Sequence, residues 1–171
     1  DDRRAQAARL ADWARGASVD AIHVTPQQRT RETAEPLSEA LQLPLKVAPE
    51  FDEIDFGEWT GRSFQELQQT DAQRWRQWCE QRSQATPPGG EPFAHVAQRV
   101  QAGLARLLRE HPGQRVLVVS HADVIKATIA TQLGLSLDAL ERFEIGCASL
   151  SALDVGEGWS KLVLLNWAPS G

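Results

Sequence analysis

The chain has 171 residues, 42% of them hydrophobic and 24% charged, and carries a net charge of −5. That length and composition suit one globular domain with a sizeable core and argue against a disordered chain. The acidic balance without a basic cluster speaks against nucleic acid or an anionic membrane as partner, and no apolar run is long enough to span a bilayer.

The six Trp stand beside no Tyr and no Met. A natural chain begins with Met, so Asp1 is not expected to be the natural start. Lysine occurs only as Lys46, Lys126 and Lys161, so nearly all the positive charge is arginine, whose planar fork of donors matches phosphate oxygens. Cys79 and Cys147 are far apart and lack CxxC spacing, which supports neither a disulfide framework nor a zinc site. No metal or cofactor is expected. Without a signal peptide, the expected location is the cytoplasm.

In chain order, Arg3–Arg15 has one apolar side and predicts a helix closed by Gly16. Residues 20–25 (Asp-Ala-Ile-His-Val-Thr) read as a short buried strand. Pro26 opens a second helix running to about Leu41. Leu45–Val47 is a second strand. Residues 50–61 mix acids, aromatics and two Gly without a clean period, and read as an ordered loop. Helices are expected at Ser63–Gln69 and Asp71–Gln81, then a Pro/Gly-rich loop from Ser83 to Gly90. A long amphipathic helix follows from Glu91 to Glu110. The apolar run in residues 115–120 predicts a central parallel strand buried on both faces. His121–Leu133 returns to helix, closed by Gly134, and Ala148–Val155 with Lys161–Asn166 predicts a hairpin. The pattern implies a three-layer α/β/α fold with a mostly parallel sheet and an antiparallel edge, all one domain over residues 1–171.

Three segments could carry chemistry. His121 directly follows the expected central strand and opens a helix, where ligands of open α/β sheets collect and free backbone N–H groups face an anion. Arg29 and Arg31 lie on the first turn of the helix after Thr25, where a solvated arginine paired with Glu32 or Glu35 is the plainer reading. Asp52 and Glu53 lie among Phe51, Phe56 and Trp59. A carboxyl there could have a raised pKa and act as a general acid, although an exposed loop acid is the commoner case. Phe56 and Trp59 read as packing residues. His23, His95 and His111 read as a strand, a helix and a helix-end histidine without a functional role.

Joined together, these segments resemble the histidine phosphatase superfamily, the phosphoglycerate-mutase-like fold. Residues 25–34 (Thr-Pro-Gln-Gln-Arg-Thr-Arg-Glu-Thr-Ala) resemble its Ser-Pro-x-x-Arg-x-x-x-Thr-Ala segment, and residues 53–61 its Glu-x-x-x-Gly-x-Trp-x-Gly loop. Residues 88–91 (Pro-Gly-Gly-Glu), with Arg99 and Val100 following, residues 118–123 (Val-Val-Ser-His-Ala-Asp) and residues 148–151 complete the order. The resemblance implies phosphate ligation by Arg29, charge stabilisation by His121 and proton donation by Glu53. It also implies help from the Ala122 N–H and a substrate-binding role for Thr25. From position, Trp59, Arg62, Trp75 and Arg76 are places to look for specificity.

The family opens with a strand ending in Arg-His-Gly, whose histidine attacks phosphorus. No Arg-His-Gly occurs in this sequence, so upstream residues carrying it are expected. The chain as written is expected to be inactive and poorly folded. The implied activity is hydrolysis of a small phosphate monoester, with a compact phosphatase favoured by the short stretch from Arg62 to Pro87. Alternatives are a cofactor-dependent phosphoglycerate mutase and a non-catalytic phosphate-binding module. A serine hydrolase using Ser120 is disfavoured by the absence of a Gly-x-Ser-x-Gly elbow. The expected partner is a small phosphorylated metabolite, with a homodimer left open.

Overall fold

The computed structural model describes residues 2–170. Its centre is β1 (Ala21–Val24), four residues that are all buried. On one side β1 pairs in parallel with β2 (Leu45–Val47), on the other with β3 (Val116–Val119), in the order β2-β1-β3. Ile22 stands opposite both Leu45 and Leu117, which fixes the register.

Here the structure corrects the reading of the apolar run at 115–120. The strand forms, but β1 is central and β3 lies at the edge of the three, with all four of its residues only half-buried. An apolar run reports that both faces of a strand are covered. It does not report that both edges are paired.

Helices cover the two faces as separate layers. On one face α1 (Asp2–Arg15) and α2 (Gln28–Leu41) bring Leu10, Ala14 and Leu37 onto Ile22, Leu117 and Val119. On the other, α5 (Phe93–Glu110) and α6 (Ala122–Leu133) bring Val96, Val100, Val124 and Ala127 onto Val116 and Val118. The alternation along β3 is what sends successive residues to opposite layers. Burying each such side chain contributes about 1.5–3 kcal/mol.

The loop between β2 and α3 (Phe64–Thr70) contains two single turns of 3-10 helix, Pro49–Phe51 and Gly57–Trp59. Ser63 starts α3 with a reciprocal capping box to Glu66, which explains the early stop of the preceding loop. The α4 helix (Ala72–Glu80) leads into Arg82, which is buried. Its guanidinium lies over the rings of Trp78 and Phe93 and pairs with Asp123 and Glu141. Gly134, at φ 70°, closes α6 as the sequence predicts.

β4 (Leu150–Gly156) and β5 (Trp159–Trp167) form the expected antiparallel hairpin, as a two-stranded sheet of its own among the described residues. Both cysteines are free. Among the described residues no helix is long and apolar enough to cross a membrane.

Candidate active site

The carboxyl ends of β1 and β3 open into the site. Thr25 continues β1, with its N–H donating to the Val119 carbonyl at 3.3 Å, and His121 follows β3 as the residue preceding α6. The loop carrying Asp52 and Glu53 is tied to β3 by Ser120, whose hydroxyl donates to the Phe51 carbonyl at 2.7 Å. Three backbone segments far apart in sequence therefore converge on the site.

His121 is buried, with only 4% of its side chain exposed. Arg29 donates to its Nδ1 from Nε at 3.3 Å and from Nη2 at 3.1 Å. Arginine can only donate, so Nδ1 carries a lone pair and the ring hydrogen is on Nε2. Nε2 lies 2.9 Å from Thr25 Oγ1, which lies 2.7 Å from Thr30 Oγ1. Thr30 donates onward to the Gln27 carbonyl at 2.9 Å. The chain of hydroxyls thus runs in one direction, and it holds the neutral tautomer with Nδ1 facing the opening.

Arg29 Nη2 also reaches Glu53 Oε2 at 3.2 Å, and that oxygen is 3.7 Å from His121 Nδ1. Asp52 Oδ1 lies 3.6 Å from Nε2. Burial pushes the Glu53 carboxyl up to about 7, against the opposing pull of the Ile54 N–H and Arg29. Burial, with Arg29 second, pushes His121 down to about 4. Between those values Glu53 holds a proton and His121 is neutral, so their contact is not an ion pair. Arg29, its side chain 54% exposed, then brings positive charge to the opening of the site.

Arg99 fixes the loop from behind. Its guanidinium donates to the Glu50 carbonyl at 2.8 Å and the Glu53 carbonyl at 3.3 Å, while Glu91 takes Nε at 2.9 Å and Nη2 at 3.0 Å. Gly57 and Gly90 bring the Pro-Gly-Gly segment against the same loop, backbone to backbone. A Cβ on Gly90 would lie 2.3 Å from the Asp55 carbonyl oxygen. A groove of about 430 Å³ opens beside Glu53, lined in part by Asp52, Asp55, Glu91 and His95.

The structure therefore brings together Arg29, Glu53, His121 and Thr25 of the residues singled out in the sequence. Ala122 is exposed in the first turn of α6, where its N–H has no intrahelical acceptor. Thr25 is fully buried and its hydroxyl is used by His121 and Thr30, so it positions the imidazole rather than meeting a ligand. Trp59 is a core residue, 4% exposed and packed on Trp75 and Trp78, with its N–H given to Asp71. Arg62 is exposed and donates to Thr70. Neither reaches the four residues around His121. Asp52, considered with Glu53 in the sequence, lies at the site, whereas Thr30 and the Arg99–Glu91 pair support it without having been selected, because sequence position does not say what a side chain touches across the fold.

A buried imidazole, a half-exposed guanidinium and a buried carboxyl at the strand ends of an α/β sheet suit the binding of a phosphate ester. The comparisons make the class specific. The model of the histidine phosphatase superfamily (branch 1) matches residues 1–168, and the chain belongs to that family. It is 34% identical over 161 residues to the adenosylcobalamin/alpha-ribazole phosphatase of Escherichia coli, covering 94% of this chain and 79% of that protein. It is 31% identical over 148 residues to phosphoserine phosphatase 1 of Hydrogenobacter thermophilus, covering 86% and 70%. Among solved structures, the alpha-ribazole phosphatase of Shigella flexneri superposes with a TM-score of 0.83 at 31% identity, over 95% of this chain and 81% of that one. The fold is accordingly phosphoglycerate-mutase-like, and the relatives named above are phosphatases.

Proposed function

We propose that the protein is a phosphatase that hydrolyses a small phosphate monoester through a phosphohistidine intermediate, with residues 1–171 forming one domain. The observation that carries this reading is the convergence of Arg29, His121 and Glu53 within 3.7 Å. A phosphate dianion entering between Arg29 and His121 takes over the guanidinium donors and draws a proton onto Nδ1, which then donates to the phosphoryl oxygens. The Ala122 N–H adds a donor at the start of α6. Positioning and charge stabilisation do most of the work in such a transfer.

In the first step an attacking imidazole forms the N–P bond while the P–O bond to the alcohol breaks, and Glu53 gives its proton to the leaving oxygen. In the second, water attacks phosphorus, the N–P bond breaks and the water proton returns to Glu53. Among the described residues His23, His95 and His111 make no hydrogen bond to Arg29, His121 or Glu53, and none of the three is assigned as the attacking imidazole. The leaving alcohol occupies the groove beside Glu53. Relatives named for alcohols as different as a riboside and serine support a common phosphoryl site with a variable groove.

The test is p-nitrophenyl phosphate hydrolysis with trapping of acid-labile phosphoprotein. Residues 1–171 alone are expected to show no turnover. A chain that supplies the attacking histidine is expected to turn over and, toward an alkyl phosphate whose leaving group needs a proton, to lose roughly 10²–10⁴ in kcat on Glu53→Gln. Turnover by residues 1–171 alone, or full activity in Glu53→Gln, overturns the assignment.

A further inference from the structure

His23 and His111 are 88 residues apart, yet their Nε2 atoms face each other at 3.0 Å in a buried setting. His23 is 1% exposed on β1, and His111 is the residue that closes α5. His111 Nδ1 lies 2.8 Å from Gln114 Oε1, an acceptor, so Nδ1 carries the hydrogen and Nε2 a lone pair. His23 Nδ1 is buried without a hydrogen-bond partner whichever ring nitrogen carries the hydrogen, and an Nε2–H of His23 donated to His111 would close the pair. If His23 carries its hydrogen on Nδ1 instead, two lone pairs face each other and call for a cation between them.

Three further features favour a cation there. Glu110 offers a carboxylate oxygen, and the three ligand atoms all lie within 4.8 Å of one another. The site lies at the carbonyl end of the 18-residue α5, where the helix dipole favours positive charge. Tetrahedral zinc bonds of about 2.0–2.1 Å place two imidazole nitrogens about 3.3 Å apart, close to the separation found. Arg106 pairs with Glu110 at 2.9 Å but is also held by Glu50 at 2.7 Å, so Glu110 can turn away without stranding it. Lys46, opposite His23 on β2, is the one cation in register.

We propose that His23, His111 and Glu110 form a site for a divalent ion of the zinc class, clamping β1 to the end of α5 with one coordination position left to solvent. Two neutral imidazoles and one carboxylate are a borderline donor set, which selects Zn²⁺ over Ca²⁺ or Mg²⁺. The site shares no ligand with the phosphate pocket and does not depend on the reading of that pocket.

Chelator-stripped protein titrated with Zn²⁺, and separately with Co²⁺ as a coloured probe, tests this. One equivalent of Zn²⁺ and the visible bands of a tetrahedral Co²⁺ are expected, with both ions also raising the melting temperature. His23→Gln and Glu110→Gln should each weaken binding by more than about tenfold, a lower bound set by what even an outer-sphere partner costs. Glu110 is exposed, so its variant keeps the fold and stands in if His23→Gln does not. His121→Asn should leave the equivalent intact. No uptake, unchanged binding in Glu110→Gln, or loss of the ion in His121→Asn each overturns the proposal, the last by placing the ion at Asp52, Glu53 and His121.

Discussion

At the scale of single residues, the orientation of His121 depends on two hydroxyls the sequence presents as ordinary strand-end and helix threonines. Thr25 Oγ1 accepts from Nε2 and passes the bond on to Thr30, which ends it on a backbone carbonyl. Every member of that chain is buried, so breaking it strands a polar group. Thr25→Val removes the acceptor for Nε2–H and is expected to cost about 1–3 kcal/mol in urea denaturation. The same change should shift the His121 tautomer mixture, read by ¹⁵N chemical shifts of the ring. Equal stability with an unchanged Nε2–H tautomer would show that the hydroxyl does not set the ring. Thr25 was legible as part of the site because it precedes a helix bearing Arg29. Its supporting role was not, because sequence position does not say which way a hydroxyl points.

At the scale of elements, two glycines set how closely the glutamate loop meets the Pro-Gly-Gly segment. A Cβ on Gly90 would sit 2.3 Å from the Asp55 carbonyl oxygen, a backbone atom that moves only if the loop carrying Glu53 moves. Gly61, at φ 76°, has open space around its missing Cβ. Gly61→Ala therefore meets only conformational strain, about 1–2 kcal/mol. Gly90→Ala, without left-handed backbone, meets overpacking of about 1–3 kcal/mol instead and should also perturb the Glu53 titration, which Gly61→Ala should not. Two-dimensional NMR titration of the Glu53 carboxyl, alongside denaturation of both variants, separates them. A Gly90→Ala protein with an unmoved Glu53 pKa would mean that the loop is fixed by Arg99 alone. Helix positions were largely legible because amphipathic periodicity and caps such as Ser63 and Gly134 are local signals. The centrality of β1 and the meeting of His23 with His111 were not, since both are settled by pairings between segments tens of residues apart.

At the scale of the whole molecule, the paired burial of Glu53 and His121 shapes how stability depends on pH. Glu53 has its pKa raised to about 7, so the folded state holds a proton that the unfolded state releases above its ordinary 4.5. Its contribution is fully present below 4.5 and is lost as pH rises toward 7. His121 is lowered to about 4 from 6.5, so the folded state lacks a proton that the unfolded state binds. Its contribution is present above 6.5 and is lost as pH falls toward 4. Between about 4.5 and 6.5 the two slopes are opposite, each at most about 1.4 kcal/mol per pH unit, and they nearly cancel. His23, also lowered by burial, adds to the His121 direction. The wild type should therefore lose only modest stability on acidification through this window. Glu53→Gln removes the opposing slope and should lose stability more steeply as pH falls. His121→Asn removes the other and should show a flatter or reversed dependence. Urea midpoints at pH 4.5, 5.5 and 6.5 for the three proteins give the slopes directly, and parallel curves would mean that this buried pair does not hold its proton on Glu53.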